Sequence, residues 1–435
     1  MSEAPAPAAS GSGARTWLPQ VAVTLVAPVK AGREQELSDL LRSMGDGVSN
    51  ERVIGFGRLA GVHFARLVLV PPAEAGGVTS LIYMSDVDGT QAAHLEDLAG
   101  QGDGVDRVFG HCAGYPDAPT TAAGRAAFLE ARAVRADTSY VNRPGRTVAQ
   151  VRQEALLRDE IEAYLDSARP GLKGRTALEV RALVQEFVER DPRLRFARSP
   201  APGPDLAERV RNALDFARLP TVLLVLSPLL VVATPPWVVL LRLHERRDPA
   251  PDIRPDPAQV AMIAELEDHL AQNSFTALGR VKPGPFRRLT STALLWIADW
   301  ATPHLYANAD LAGVKTIHFA RWVFLDDKRR LIFASNYDGS LETYMGDFID
   351  KVAWGLNAIF SNGIGYPRTN WLFFDGAKNE EAFKHYIHTH QLPAHVWYTA
   401  YGNLTNANIE QNARIRTGLY GRMTASDAER WLGLL

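Results

Sequence analysis

Cysteine is nearly absent from this 435-residue sequence, in which Cys112 stands alone. A lone thiol excludes an internal disulfide and a cysteine-built zinc site, and it fits a reducing compartment. Positive charge is not in surplus either: 47 Lys and Arg face 49 Asp and Glu, for a net charge of -2. Proteins that neutralise phosphates carry such a surplus, so nucleic acid is not expected as a partner. Residues 1–19 are rich in Ala, Pro, Ser and Gly, lack the apolar stretch of a secretory signal and are expected to form a disordered tail. Phosphate loops, Ser nucleophile elbows and HExxH metalloprotease helices are missing too.

What is present suits a globular chain of two or three domains, with 46% hydrophobic and 22% charged residues. Its main feature is self-similarity. VHFARLVLV at 62–70 returns as IHFARWVFL at 317–325, and LIYMSDVDG at 81–89 returns as LIFASNYDG at 331–339. GYP at 114–116 and 365–367 and VKAG/VKPG at 29–32 and 281–284 follow suit, as does a looser match of 145–158 with 402–416. All five blocks keep their order, about 250 residues apart, a period far too long for a solenoid, so each copy is expected to be a domain.

Within a copy, a β-branched run (21–26) precedes leucines at helical spacing (Leu37, Leu40, Leu41), a strand followed by a helix. Two β-rich runs (64–70, 81–84) across a Pro and Gly loop predict a hairpin. A helix over 90–98 and a strand near Val108 complete a βαββαβ order. Each copy then adds a helix (126–134; 380–390), a strand around Tyr140 or Trp397, and a last helix opened at Thr147 by a capping box with Gln150. The sheet face left bare by its helices must be buried, and the other copy is the obvious cover.

This element order, with Asp-Gly closing the third strand (Asp88-Gly89, Asp338-Gly339), resembles the dimeric α+β-barrel (ferredoxin-like) superfamily, distantly the dye-decolourising peroxidases. Serines 85 and 335 replace the glycine of that peroxidase motif. The resemblance implies an α+β fold of two tandem ferredoxin-like units paired as an intramolecular barrel, with haem as the cofactor and peroxidase-like oxidoreductase activity.

Between the copies, residues 219–241 run for 23 residues without a charge, enough to cross a hydrocarbon core. A buried core helix is the alternative. Pro228, Pro235 and Pro236 argue against a straight span, and arginines flank both ends equally, so a bent or re-entrant monotopic segment is expected. The layout is then a first repeat (20–166), a helical linker (167–218), the membrane segment, a second linker (242–271), a second repeat (272–424) and a C-terminal tail (425–435).

Candidate chemistry concentrates where the copies agree. His63 and His318 lie three residues before Arg66 and Arg321, which in a regular strand puts His and Arg on opposite faces, so one of each pair would line a cavity between the sheets. His318 could be an axial haem ligand or acid/base and Arg321 an anion or propionate contact, against a bonded core histidine and a structural arginine. Asp88 and Asp338 could cap helices, or Asp338 could act as the acid/base. Copy two is richer around these motifs, with Trp322, Phe333, Asn336 and Tyr337, so the site is expected there: Asp338, His318 and Arg321 for catalysis, and His318, Arg321, Asn336 and Tyr337 for the cofactor. His385, His388, His390 and His395 suit a solvated surface better than a metal site, and Glu267, Asp268, His269, Gln272 and Asn273 suit a linker or a helix start. The expected function is a membrane-associated oxidoreductase acting on an apolar or lipid-soluble small molecule, its soluble domains in the cytoplasm. The alternative is a non-catalytic membrane-surface protein that binds a ligand or partner.

Overall fold

The computed structural model describes residues 17–45, 53–74, 77–249, 254–266, 271–306 and 310–435. Most of the expected N-terminal tail, along with Glu267, Asp268 and His269, lies outside the described residues.

Two four-stranded antiparallel sheets form the frame. The first has the order β1 (Gln20–Pro28), β3 (Ser80–Asp88), β2 (Val62–Val70), β10 (Val396–Thr399). In the second, the order is β4 (Thr138–Val141), β6 (Ile317–Leu325), β7 (Arg330–Asp338), β5 (Gln272–Arg280). The registers match: Gln20 lies opposite Asp88, and Gln272 opposite Asp338. Each sheet takes its fourth strand from the other third of the chain, because β4 pairs with β6 while β10 pairs with β2. The strands expected around Tyr140 and Trp397 therefore form, but reciprocally exchanged.

Alternation along the strands produces two apolar layers. Ala65, Leu67, Leu81 and Tyr83 pack against the helices α1 (Glu34–Gly45), α2 (Gln91–Ala99), α3 (Asp103–Phe109) and α4 (Ala122–Ala131). Val68, Val70, Ile82 and Met84 point the other way and pack against Val323, Leu325, Ile332 and Ala334 of the second sheet. Each such aliphatic side chain contributes about 1.5–3 kcal/mol on burial, so the bare sheet faces cover one another. On its outer side the second sheet is covered by α9 (Pro285–Leu305), α10 (Leu341–Phe360) and α11 (Glu380–His390).

The strand expected near Val108 is instead α3, since Val105, Val108 and Phe109 recur at helical spacing and all three are buried. A single bridge between Val29 and Cys112 stands where that strand would have paired. The helix expected at 126–134 begins earlier, because the Thr121 hydroxyl accepts from Gly124 N and sets its start.

The helices expected to close each copy leave the sheets and form a second compact unit of residues 17–19, 145–205 and 404–435. There α5 (Val148–Leu172), opened by Thr147 accepting from Gln150 N, joins α6 (Ala177–Arg190), α12 (Asn406–Thr417) and α13 (Ala425–Leu432). Leu157, Ile161, Val184, Ile415 and Trp431 make its core, and a buried Glu154–Arg416 ion pair (3.1 Å) joins α5 to α12. The stretch read as a C-terminal tail is α13, its Trp431 indole donating to Ile415 O at 2.9 Å.

Residues Leu206–Arg247 form one continuous 42-residue helix, α7. Among the described residues it is the helix long and apolar enough to cross a membrane, and none of its most apolar window is buried. The re-entrant turn expected within 219–241 is absent: the helix runs through Pro220, Pro228, Pro235 and Pro236 and takes in parts of both expected linkers. Each proline removes one backbone donor, and the ladder persists on either side. A shorter helix, α8 (Pro257–Leu266), and a two-residue hairpin of β8 (Thr369–Asn370) and β9 (Phe374–Asp375) complete the elements.

Candidate functional site

Each central strand opens with an irregularity. The β2–β3 register slips between Val62 and Phe64, and the β6–β7 register slips between Ile317 and Phe319. Such a bulge inserts one residue and re-aims the side chains beside it. His63 consequently shares the inter-sheet layer with Phe64 and Arg66: its ring lies 5.1 Å from that of Phe319, and the His318 ring lies 5.3 Å from Phe64. Strict alternation, which would admit only His or Arg to this layer, does not hold here.

His318 and Asp338 come together, Nε2 to Oδ1 at 2.7 Å, and both are buried. His63 and Asp88 make the same pair at 2.9 Å, and His63 Nδ1 also shares a hydrogen bond with the Tyr401 hydroxyl. Neither aspartate is the N-cap of the following helix, since Thr90 and Ser340 serve α2 and α10. The adjoining Gly89 and Gly339 have φ of +91° and +83°. That left-handed turn, which glycine adopts at little cost, accounts for the repeated Asp-Gly.

The arginines cross over. Arg66 donates to Phe275 O (2.7 Å), Thr276 Oγ1 (3.0 Å), Ser335 O (2.8 Å) and Asn336 Oδ1. Arg321 donates to Val23 O, Thr24 Oγ1 (3.3 Å), Ser85 O (2.8 Å) and Asp86, with which it forms a buried ion pair. Asn336 Nδ2 donates to Asp86 at 2.9 Å and closes the cluster. Tyr337 faces the helices instead, stacked on Tyr344 with ring centroids 4.0 Å apart. Of the residues expected to share one site, His318 and Asp338 do so directly, Arg321 and Asn336 form a separate cross-brace, and Tyr337 belongs to the core.

A haem does not fit this arrangement. Nε2 of His318, the usual ligating nitrogen, is bonded to Asp338, and the Phe64 and Tyr401 rings pack 5.3 and 5.7 Å from the imidazole. Arg321 is bonded to protein carbonyls and Asp86, leaving its guanidinium committed where a propionate would have to bind. The layer around them is closed by Val323, Ile332 and Val68, all fully buried.

A concave site lies elsewhere, on the helix side of the second sheet. An apolar pocket of about 680 Å³, open mouth included, is lined by Phe275 and Phe333 of the sheet, Phe348 and Leu356 of α10, and Phe383 and Ile387 of α11. Two of its lining groups are buried without a hydrogen-bond partner among the described residues: Ser291 Oγ on α9 and Asn362 Nδ2 after α10. Leaving such a group unsatisfied costs about 1–3 kcal/mol. Burial pushes the His390 imidazole, also in the lining, below its usual pKa. Sequence reading missed Ser291 and Asn362 because neither lies in a repeated block, and Tyr401 because only the exchanged strand carries it to His63.

Of the other histidines, His390 Nδ1 bonds to Tyr386 O at 2.8 Å, and among the described residues no group of His, Cys, Asp and Glu is placed to hold a metal ion. No family model matches the chain, and no curated protein matches it.

Proposed function

We propose that the chain is a membrane-associated protein that binds an apolar, lipid-soluble small molecule bearing one polar group, in the pocket between the second sheet and α9–α11. The carrying observation is the pairing of an aromatic and aliphatic lining with Ser291 Oγ and Asn362 Nδ2, two buried polar groups that find no partner among the described residues. A ligand with its polar group at these two atoms and its apolar body along Phe348 and Phe383 would satisfy both. The exposed α7 supports access from a lipid phase, and the single buried thiol Cys112 supports a cytoplasmic setting for the folded parts. In this reading the two halves are copies of one ferredoxin-like unit, paired sheet to sheet as an intramolecular α+β barrel. Its support is the matched registers and the reciprocal β4/β10 exchange.

The test is displacement of a fluorescent polyene fatty acid from delipidated protein in mild detergent. Ser291→Leu, which removes the hydroxyl and fills the space, should weaken binding by about tenfold or more. Unchanged affinity would overturn the pocket assignment.

A further inference from the structure

Both ends of α7 dock on one helix. Near its start, Trp300 Nε1 of α9 donates to Phe216 O at 3.0 Å, the two rings lie 5.8 Å apart, and Asp215 accepts from His304 at 2.8 Å. Near its end, Trp237 Nε1 donates to Thr290 Oγ1 at 3.2 Å, and His244 stacks on Phe286 at 4.8 Å. The contacts run antiparallel but at unequal pace. Twice as many residues separate Phe216 from His244 as separate Trp300 from Phe286, or about 42 Å against about 21 Å for straight helices. Helices packed at the usual axis distance of about 8–10 Å let side chains absorb only part of that difference. The middle of α7 must bow away from α9, and residues 223–236, which include Pro228, Pro235 and Pro236, are exposed without exception.

Beside the docked end stands a braced loop. Glu245 of α7 is buried, and its carboxylate accepts from Thr369 Oγ1 (3.0 Å), Trp371 N (3.1 Å), Leu372 N (2.7 Å) and Arg242. From the other side Asn357 Nδ2 donates to Phe373 O (3.0 Å) and Asp375 O (3.1 Å). These bonds hold Trp371, Leu372 and Asp375 at φ of +54°, +66° and +58°, where bulky side chains are strained. What the strained loop presents outward is apolar: Trp371, Phe373 and Phe374 are 49%, 43% and 58% exposed. Arg242 lies over the Trp371 ring at 4.6 Å, and Arg246 and Arg247 are exposed next to it.

We propose that this face seats the protein on a single leaflet of an anionic membrane, with the bow of α7 immersed and the loop Trp371–Phe374 inserted at the interface beside its C-terminal end. The occupant is lipid because the loop's exposed aromatics sit beside the C-terminal end of the exposed, apolar α7, and the arginines next to them complement anionic headgroups. This rests on the membrane association read from α7 and commits it to one side of the bilayer.

The test uses full-length protein with Cys112→Ala and single cysteines at exposed positions 206, 229, 247 and 374, made in a bacterial host. An impermeant maleimide should label positions 206 and 247 from the same side, comparing spheroplasts with inverted vesicles. A polarity-sensitive fluorophore at 229 and at 374 should shift to the blue on phosphatidylcholine/phosphatidylglycerol vesicles. The combination Trp371→Ala, Phe373→Ala, Phe374→Ala should lower vesicle partitioning by about tenfold. Labelling of 206 and 247 from opposite sides would make α7 a crossing helix and overturn the proposal while leaving membrane association intact. A probe at 374 that stays aqueous while 229 is immersed would overturn the loop's part. Protein–protein cross-linking through 374, unchanged by vesicles, would make a second copy the occupant and overturn it too. Failure of every variant to partition would instead remove the membrane reading itself.

Discussion

Arg66 and Arg321 make matching contacts on opposite sheets, each bonding two backbone carbonyls, a threonine hydroxyl and one side chain at corresponding positions. The symmetry breaks at the last partner, Asn336 for Arg66 and Asp86 for Arg321. Asp86 is thus the carboxylate that pairs with the buried Arg321 guanidinium. Asp86→Asn should cost about 3–5 kcal/mol, the usual penalty for leaving a buried charge uncompensated. Asn336→Ala, which removes only neutral hydrogen bonds, should cost less, about 1–3 kcal/mol. Urea unfolding midpoints of the two variants give the order, and equal losses would contradict this assignment of charge.

Below the first sheet, burial holds the His94 imidazole down at a pKa of about 4, against an ordinary 6.5. Its Nε2 lies 2.9 Å from the Tyr83 hydroxyl and 3.2 Å from Ser85 Oγ. Because the folded pKa is depressed, the unfolded chain binds the extra proton between these values. The stabilisation is therefore complete above pH 6.5 and is lost as pH falls toward 4, in total about 3 kcal/mol. His94→Gln should lower the slope of stability against pH across that window by about one proton, or about 1.4 kcal/mol per pH unit at its steepest. Denaturation series at pH 7, 6 and 5 measure it, and parallel curves for both proteins would refute the role.

Glu245→Ala removes the acceptor for two backbone N–H groups and the Thr369 hydroxyl. With the brace gone, Trp371 and Leu372 have less to hold them at positive φ, and the loop should relax. Amide exchange across 369–375 should quicken by about tenfold or more, the equivalent of 1.4 kcal/mol of local opening. Exchange in β5 and β7 should stay as it was. Unchanged protection in the loop would show that Asn357 alone suffices.

Strand and helix types were legible where one period dominates. The β-rich run expected at 64–70 lies within β2 and its counterpart at 317–325 became β6, while the helical linker expected over 167–218 contains α6 (Ala177–Arg190). The segment near Val108 misled because valine favours strands, while its burial partners Val105 and Phe109 follow the helical period. Two further features were invisible for a different reason. A bulge at His63 or His318 leaves no composition mark yet moves a side chain to the other face, and a four-residue strand such as 138–141 carries no label for which sheet it joins. Ser291 and Asn362 lie outside the blocks that recur in the sequence, so agreement between those blocks pointed to the brace and away from them.

The strand exchange makes a last prediction about the halves as separate chains. Residues 1–205 alone would lack β10, leaving the edge of β2 at Phe64–Leu67 unpaired, and would expose Val68, Val70, Ile82 and Met84. Residues 206–435 would lack β4 and expose Val323, Leu325, Ile332 and Ala334. Neither should persist as a folded monomer, and each could in principle pair with its own kind. Two first halves would set Asp86 against Asp86 where the Asn336 amide now donates at 2.9 Å, a like-charge contact. Two second halves would bury two Arg321 side chains with Asn336 as the facing residue and no carboxylate. The mixed pair alone supplies one carboxylate, one amide donor and two guanidinium groups in compatible places. Like-charge juxtaposition at an interface costs several kcal/mol, so halves unfolded separately and refolded together in mild detergent should reassemble almost wholly as mixed pairs. Native mass spectrometry counts the species. A statistical mixture, with mixed pairs at about half, would mean that the Asp86–Asn336 contact does not select the partner.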